Sequence, residues 1–305
     1  VELIWLEDFL AVIEAGGFSR AAETRNVTQP ALSRRIKALE DWVGTPLFFR
    51  TTHKVLLTPA GVAFRATAEE VLRALAVGRL EARSEAEADT EQLLFASTNA
   101  LALTFFPQWL RRLERVSPIP NIQLVANHME ACERLMLQGS MQFLLGHHHP
   151  AAETPLNGRQ FVSARVGADV LIPVCAPIEG GHAPLFALPG SEHDPVPYLS
   201  YRQESGMGRI VAAVHAASPN TAWLKPRFNS HLAKLLVTMA LDGRGLAWLP
   251  ESLIGEHLNA GELVRAGDSV WDIPIEIRLF RQRSRLSRGA ESFSAVALSM
   301  NETGM

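Results

Sequence analysis

Cysteine is scarce in this chain of 305 residues: only Cys132 and Cys175 occur. They stand too far apart in sequence to suggest a metal pair or a disulfide framework, and the expectation is two small buried residues in a reducing cytosol. Long apolar runs are missing as well; none approaches the roughly 20 residues that span a bilayer, so no membrane partner is expected. The opening VELIWLEDFL carries no basic region and no cleavage site, which argues for a cytoplasmic location rather than secretion. Catalytic signatures are equally absent. There is no G-x-S-x-G elbow, H-E-x-x-H pair or phosphate-binding loop, and the scattered Ser, His and Asp residues form no recognisable catalytic set. The reading that this is an α/β solute-binding protein or enzyme with an incidental helical domain is therefore the weaker alternative. The run His147 to His149 looks like a metal motif, but successive side chains in a strand point to opposite faces, and no cysteine or carboxylate completes a ligand spacing. Neither a metal nor a cofactor is implied.

Charge of one sign is not in large excess, the formal net value being -3. Locally the balance differs. Between positions 25 and 54 stand Arg25, Arg34, Arg35, Lys37, Arg50 and Lys54 against only Glu40 and Asp41, which is what a phosphate-facing patch needs. The length itself predicts two or more domains.

Leu6, Phe9, Leu10 and Ile13 follow the helical period, and Gly16-Gly17 ends that first helix. Ser19 is read as the N-cap of a short second helix, and Ala21 and Ala22 leave room for close helix packing. Asn26 suits a left-handed turn. Thr28 then caps a third helix with Pro30 in its first turn. Leu32, Ile36, Leu39 and Val43 share one face of it, while Pro30, Ser33, Arg34 and Lys37 fall elsewhere. A short helix, a turn and a helix with polar and basic residues near its start describe a helix-turn-helix that enters the major groove of double-stranded DNA. Gln29 can pair bidentately with adenine, and Arg34 or Lys37 can reach guanine or a phosphate. PLFFR and KVLLT then read as a hairpin with Arg50, His53 and Lys54 at or near its tip, a wing able to touch phosphates or the minor groove. Thr58-Pro59 opens a further helix.

The succession FSRAAETRNVTQPALSRRIKALEDWVGTPLFFRTTHKVLLTPAG resembles the winged helix-turn-helix of LysR-type transcriptional regulators. Ala21, Ala22, Gln29, Pro30, Ser33, Ile36, Leu39, Glu40, Gly44, Leu47, Phe48, Arg50, Thr58 and Gly61 carry the likeness. Thr28 stands where the family more often has serine, with equivalent capping chemistry. The resemblance implies that Gln29, Pro30, Ser33, Arg34 and Lys37 face bases or adjoining phosphates.

From Ala60 to about Glu87 there is no proline, and Phe64, Ala68, Val71 and Leu75 recur in steps of four and three. That heptad seam predicts a helix buried against a second copy of the chain. The resemblance adds that such linker helices pair and that the dimers usually assemble in twos. The rest alternates: strands in EQLLFAS, NIQLVANH, GADVLIPVCA and IEIRLFR, helices in TNALALTFFPQWLRRLERV, EACERLMLQG and HLAKLLVTMALDG. Alternation of this kind predicts a mostly parallel sheet with crossover helices. The order, and LVTMALDGRGLAWLPE in particular, resembles the LysR-type effector domain, two α/β lobes around a cleft, similar to solute-binding proteins. One departure is MQFLLGHHH, where many members of the family carry an acidic residue. The expected organisation is α/β: a DNA-binding domain at 1–60, a linker helix at 61–88 and an effector domain at 92–303. Lobe I of that domain would comprise about 92–164 and 267–303, and lobe II about 165–266.

Ligands of open α/β sheets gather beyond the carboxyl ends of strands, where helix N-termini present free amides. That rule points to Ser97, Thr98 and Asn99 in one lobe and to Asn229 and Ser230 at a helix start in the other. Tyr201, Ser205, Met207 and Arg209 join them from LSYRQESGMGR, and His147 from the end of an apolar strand. Met207 lies between two glycines, is expected in an exposed loop, and has a thioether that oxidises to a polar sulfoxide. YRQESGMGRI and ALDGRGLAWLPE also resemble a hypochlorite-responsive branch of the family, which implies either a small-molecule effector or an oxidant sensed at Met207.

Overall fold

Leu6, Phe9 and Val12 recur on one side of α1 (Leu3–Ala15), and burying that stripe organises the first part of the chain. The computed structural model describes residues 1–50, 55–86, 92–158 and 160–302. They form two compact units, the first made of Val1–Arg83 with Leu137–Ser140 and the second of the remaining described residues.

In the first unit α1 stops at Gly16, which takes the left-handed conformation (φ 63°) that a residue without Cβ reaches at no cost. Helix α2 (Phe18–Thr24) begins two residues earlier than Ser19 would allow as a cap: Gly17 is the N-cap, and Ser19 lies within the helix. Its hydroxyl instead bonds to Gln29 across the turn. Asn26 takes a positive φ of 53°, and Thr28 Oγ1 accepts from the Ala31 amide, opening α3 (Gln29–Val43). Strands β1 (Phe48–Arg50) and β2 (Val55–Leu57) pair antiparallel, and α4 (Pro59–Ala86) follows with Pro59 at its start. Phe9, Leu32, Ile36, Leu39, Leu47 and Ala68 are fully buried together, with Phe64 and Leu72 of α4 packed on them. This splits the expected heptad seam. Its first half, Phe64 and Ala68, is used by the unit's own core, where Phe64 meets Phe9 of α1 edge-on; Val71 and Leu75 remain exposed.

The second unit runs β3 (Gln92–Thr98), α5 (Asn99–Thr104), α6 (Phe106–Glu114), β4 (Asn121–Asn127), α7 (Met129–Leu137), β5 (Phe143–His148) and β6 (Phe161–Cys175). It continues with β7 (Val196–Tyr201), α8 (Gly206–Ala217), β8 (Leu224–Ser230), α9 (Ala233–Leu241), β9 (Ala247–Pro250), α10 (Glu251–Asn259), β10 (Val264–Arg265), β11 (Ile273–Gln282) and α11 (Arg288–Glu302). The single helix expected over TNALALTFFPQWLRRLERV is divided at Phe105, because Pro107 supplies no amide to a preceding turn. The main sheet is mixed rather than mostly parallel. Strand β3 pairs parallel with β4 and β5, but β11 runs antiparallel to both β5 and β6, and β6 antiparallel to β9 and β10; β7 and β8 pair parallel in a separate two-stranded sheet. The reason lies in two cores. One gathers Phe95, Trp109, Phe143, Leu145 and Phe293, the other Leu199, Ile210, Leu236, Trp248 and Ile254. Long strands β6 and β11 supply residues to both, Val166 and Ile277 to the first, Leu171 and Ile273 to the second. One carries the chain into the second lobe and the other returns it, so they must run in opposite directions. A register shift at Ile277/Arg278 interrupts their ladder beside Val166, within the part that serves the first core, a place where a strand pair can bend.

Candidate functional site

The face of α3 opposite its core stripe is polar. Thr28, Gln29, Pro30, Arg34 and Lys37 are exposed and Ser33 is half-buried. The neighbouring arginines part company. Arg35 turns inward and donates to Asp8 Oδ2 at 3.1 Å, while Arg25 donates to Asp8 Oδ1 at 2.9 Å and pairs with Glu7. The Asp8 side chain is wholly buried between these two guanidinium groups, so α1 clamps α2 and α3 and leaves Arg34 facing out. Burial works against the charge of Arg25, but its bonds to Asp8 and Glu7 outweigh this and hold its pKa above the ordinary value. Lys37 meets Asp41 one turn on at 2.8 Å, with both side chains more than half exposed, a pairing too solvated to hold the lysine back from another anion. The buried Glu40 carboxylate accepts from the Leu47 amide at 2.8 Å and the Phe48 amide at 3.2 Å, which sets β1 beside α3. Arg50 ends β1; His53 and Lys54 lie outside the described residues.

In the second unit a narrow cavity of about 20 Å³ opens between the lobes. Of the residues expected there, Thr98, Asn99, His147, Ser205 and Met207 line it. Ser97, Tyr201, Arg209, Asn229 and Ser230 do not. Ser97 is fully buried in β3, with its hydroxyl donating to the Thr98 carbonyl. Tyr201 belongs to the second core, where burial pushes its phenol well above the ordinary range. Ser230 ends β8 with its hydroxyl accepting from the Leu232 amide; α9 starts only at Ala233, so neither Ser230 nor the exposed Asn229 opens a helix. Met207 is likewise not in an exposed loop. It sits in the first turn of α8, 6% exposed, because the apolar face of α8 must cover the second core.

Sequence reasoning missed Asn127, His128 and His231, which also line the cavity. The two imidazoles approach from opposite lobes with ring centroids 5.4 Å apart, a pairing between residues a hundred positions apart that no local pattern announces. The starts of α5, α7, α8 and α9 all meet this space, so the positive ends of helix dipoles converge on it, although at α7 the Glu130 amide is taken by the Glu204 carbonyl and the Ala131 amide by His128 Nδ1. No lysine or arginine is among the lining residues. Thr98 Oγ1 and both His147 nitrogens have no hydrogen-bond partner among the described residues, although both side chains are buried.

Behind His147 lies Asp169, its Oδ2 3.9 Å from the imidazole Nε2. Burial alone would raise the Asp169 pKa, but the His147 imidazole, the Ser252 hydroxyl at 2.5 Å and the Val170 amide more than offset it, leaving the carboxyl below its usual range. Beside the cavity Arg209 of α8 pairs with Glu133 of α7 at 2.9 Å, and Thr154 donates to the same carboxylate at 2.7 Å. The two lobes are thus joined next to Met207. Cys132 is buried, and burial pushes its thiol up to about 12, which leaves it little thiolate for metal binding or redox chemistry. Among the described residues no group of three or more His, Cys, Asp or Glu side chains could hold a metal ion, and no helix is long and apolar enough to cross a membrane.

An outward polar helix in a three-helix unit with a two-stranded wing, followed by a two-lobed α/β unit with a polar cleft, defines a DNA-binding regulator that senses a ligand. Comparison with known proteins agrees. Residues 3–62 match the family of bacterial regulatory helix-turn-helix proteins of the LysR type, and residues 86–301 match the LysR substrate binding domain. The chain belongs to the LysR family of transcriptional regulators. It is 31% identical over 293 residues to the HTH-type transcriptional regulator YjiE of Escherichia coli, covering 96% of this chain and 93% of that protein. Its structure resembles full-length HypT of Salmonella typhimurium, a hypochlorite-specific LysR-type regulator, at 28% identity and a TM-score of 0.60 over the whole of both chains. It also resembles DarR of Vibrio fischeri in complex with DNA, at 30% identity and a TM-score of 0.56 over 98% of this chain and 99% of that one. These relatives regulate transcription, and this chain is a DNA-binding regulator with an effector-binding domain rather than an enzyme.

Proposed function

We propose that this regulator reads its operator through Gln29, Pro30, Ser33, Arg34 and Lys37 of α3, with Thr28 at the helix start. Arg50, His53 and Lys54 of the wing add contacts to the backbone or minor groove. The observation that carries this reading is the outward polar face of α3, held by the inward bonds of Arg25 and Arg35 to Asp8. A gel shift of the full chain against its own promoter region, with random competitor duplex and at two salt concentrations, tests it. Specific binding should fall steeply with salt, and Arg34→Ala should weaken it and lower the salt slope by about one. Equal affinity for operator and random duplex would sink the reading.

The cavity between the lobes takes a small effector, held by Thr98, Asn99, His147 and Ser205 and by the amides at the helix starts. Neutral donors and helix dipoles without a cation suit a compact anion or polar molecule. The exposed Val71 and Leu75 of α4 favour pairing with a second copy, and two such dimers form the working assembly in the cytoplasm. Leu75→Glu should lower the mass measured by light scattering.

A second reading is favoured by Met207, whose buried side chain lines the cavity, and by the relative described as hypochlorite-specific. Here hypochlorous acid transfers its oxygen to the Met207 sulfur, chloride and a proton leave, and the resulting sulfoxide is too polar for its place in the second core. Mass spectrometry after stoichiometric hypochlorite should find Met207 modified ahead of the other methionines. Should Met207→Gln leave the transcriptional response unaltered, the oxidant reading is wrong and the effector reading stands.

A further inference from the structure

Away from the cleft, the second unit holds a roomier cavity of about 210 Å³ between the turn that joins α6 to β4 and the start of α11. Its apolar side is formed by Ile119, Phe293 and Val296, all of which belong to the first core or pack on it. Phe293 is fixed there by edge-on contacts to Phe95 and Trp109, with ring centroids 5.2 Å and 5.8 Å away. Pro118 and Pro120 make another wall, and their locked φ angles give the turn its shape before any guest arrives. The cavity is thus a preformed opening onto the core. A hole of about 150 Å³ lined by apolar side chains holds benzene, so this one has room for a single ring and a small substituent.

At the mouth stand Arg288 and Ser292, both exposed and one turn apart on α11. The Arg288 guanidinium has no ion-pair partner among the described residues. Glu291, the acidic residue in the first turn of α11, is already taken by the Leu286 amide at 2.9 Å and by Arg281 at 3.3 Å. An uncommitted cation beside an apolar recess selects a guest with both characters, and a planar guanidinium receives a carboxylate through two parallel N–H donors. The cavity between the lobes differs on both counts, with about 20 Å³ of space and no lysine or arginine in its lining.

We propose that this second cavity is a binding site for a small monocarboxylic acid with an apolar body about the size of a benzene ring. The body lies against Ile119, Phe293 and Val296, and the carboxylate meets Arg288 and the Ser292 hydroxyl. Residues of the first core alone support the site, so it is separate from the effector site assigned to the cleft and does not depend on it.

The test titrates full-length protein with 4-fluorobenzoate and follows the fluorine resonance by NMR, with 4-fluorobenzyl alcohol as the uncharged counterpart. Wild type should bind the acid saturably and ahead of the alcohol. Arg288→Ala should weaken binding of the acid about five-fold, the upper range for an ion pair that stays partly in water, and leave the alcohol unchanged; Arg288→Lys should recover part of the loss. Ser292→Trp, at an exposed position outside the core, should close the mouth and remove binding of both. Asn99→Ala in the cleft should change neither. The proposal falls if wild type shows no saturable binding at millimolar concentration, or if Arg288→Ala binds the acid as wild type does. It falls too if Asn99→Ala removes binding that Ser292→Trp spares, since the guest then sits in the cleft and the cleft reading gains what this one loses.

Discussion

Gln29, Arg34 and Lys37 stand in solvent on a helix whose opposite face is sealed, whereas Thr98 and His147 are buried around a cavity with polar atoms that find no hydrogen-bond partner among the described residues. The first arrangement pays nothing in desolvation until DNA arrives. The second keeps unsatisfied polar groups in the interior, each costing about 1–3 kcal/mol unless a ligand or solvent meets it. The contrast teaches that the two recognition surfaces follow different physics. The DNA-facing surface offers solvated donors on a rigid support, suited to a highly charged polymer. The cleft offers desolvated donors, suited to a small ligand that can enclose itself there.

That contrast can be broken first in the core that supports α3. Phe9 is fully buried and packs against Phe48 and Phe64; Phe9→Ala should cost the first unit about 3–5 kcal/mol. Thermal melting should then show one early transition, with loss of DNA binding and with the second unit's transition unmoved. A single transition shifted as a whole would show that the units do not unfold separately.

A matched pair of substitutions should separate the two surfaces at smaller cost. A Cβ on Gly61 would lie 2.1 Å from the Leu47 carbonyl oxygen, and one on Gly208 would lie 2.3 Å from that of Arg202. Each forces a backbone shift worth about 1–3 kcal/mol. Gly61→Ala should impair operator binding in gel shifts and spare the transcription-independent response of the cleft to ligand. Gly208→Ala, which displaces the first turn of α8, should do the reverse.

Acid provides a subtler probe of the cleft. Because the folded Asp169 pKa is depressed, the unfolded chain takes up the proton at higher pH than the folded one. The stability this carboxylate contributes is therefore full above the ordinary aspartate range, and is lost as pH falls through that range to the lower folded value. Denaturant melts of Asp169→Asn should show a flatter acid limb than wild type, and an unchanged limb would mean that the carboxylate is not stabilised. The smallest effect is expected at Cys132, whose thiol is pushed up to about 12. Iodoacetamide at pH 8 should leave it unmodified in the native protein, with mass spectrometry as the check.

Much of the first unit was legible in sequence because its determinants are local. The Gly16 stop, the Thr28 cap and the stripe of Leu32, Ile36 and Leu39 all act within a few turns. The Asp8 clamp was not legible. Its partners, Arg25 and Arg35, are 17 and 27 residues away, and both had been counted simply as basic residues of a patch. In the second unit the strands and helices were mostly legible, but their directions were not, since nothing in β6 or β11 alone says that each must serve two cores. The cleft followed the same division. Thr98, Asn99 and His147 could be named from helix starts and strand ends and Ser205 from its segment, while His128 and His231 had no signal. Met207 was placed in an exposed loop because flanking glycines resemble one; the demand of the second core for an apolar α8 face overrides that local cue.

The order of elements, the helix caps and turns, and the separation of apolar from polar positions were determined by the sequence alone, because each depends on side chains a few residues apart. Which arginine faces outward, which strands cross between lobes, and which polar groups end without partners around one cavity were decided only by tertiary structure. These depend on desolvation and on contacts between segments that the chain brings together only when it folds.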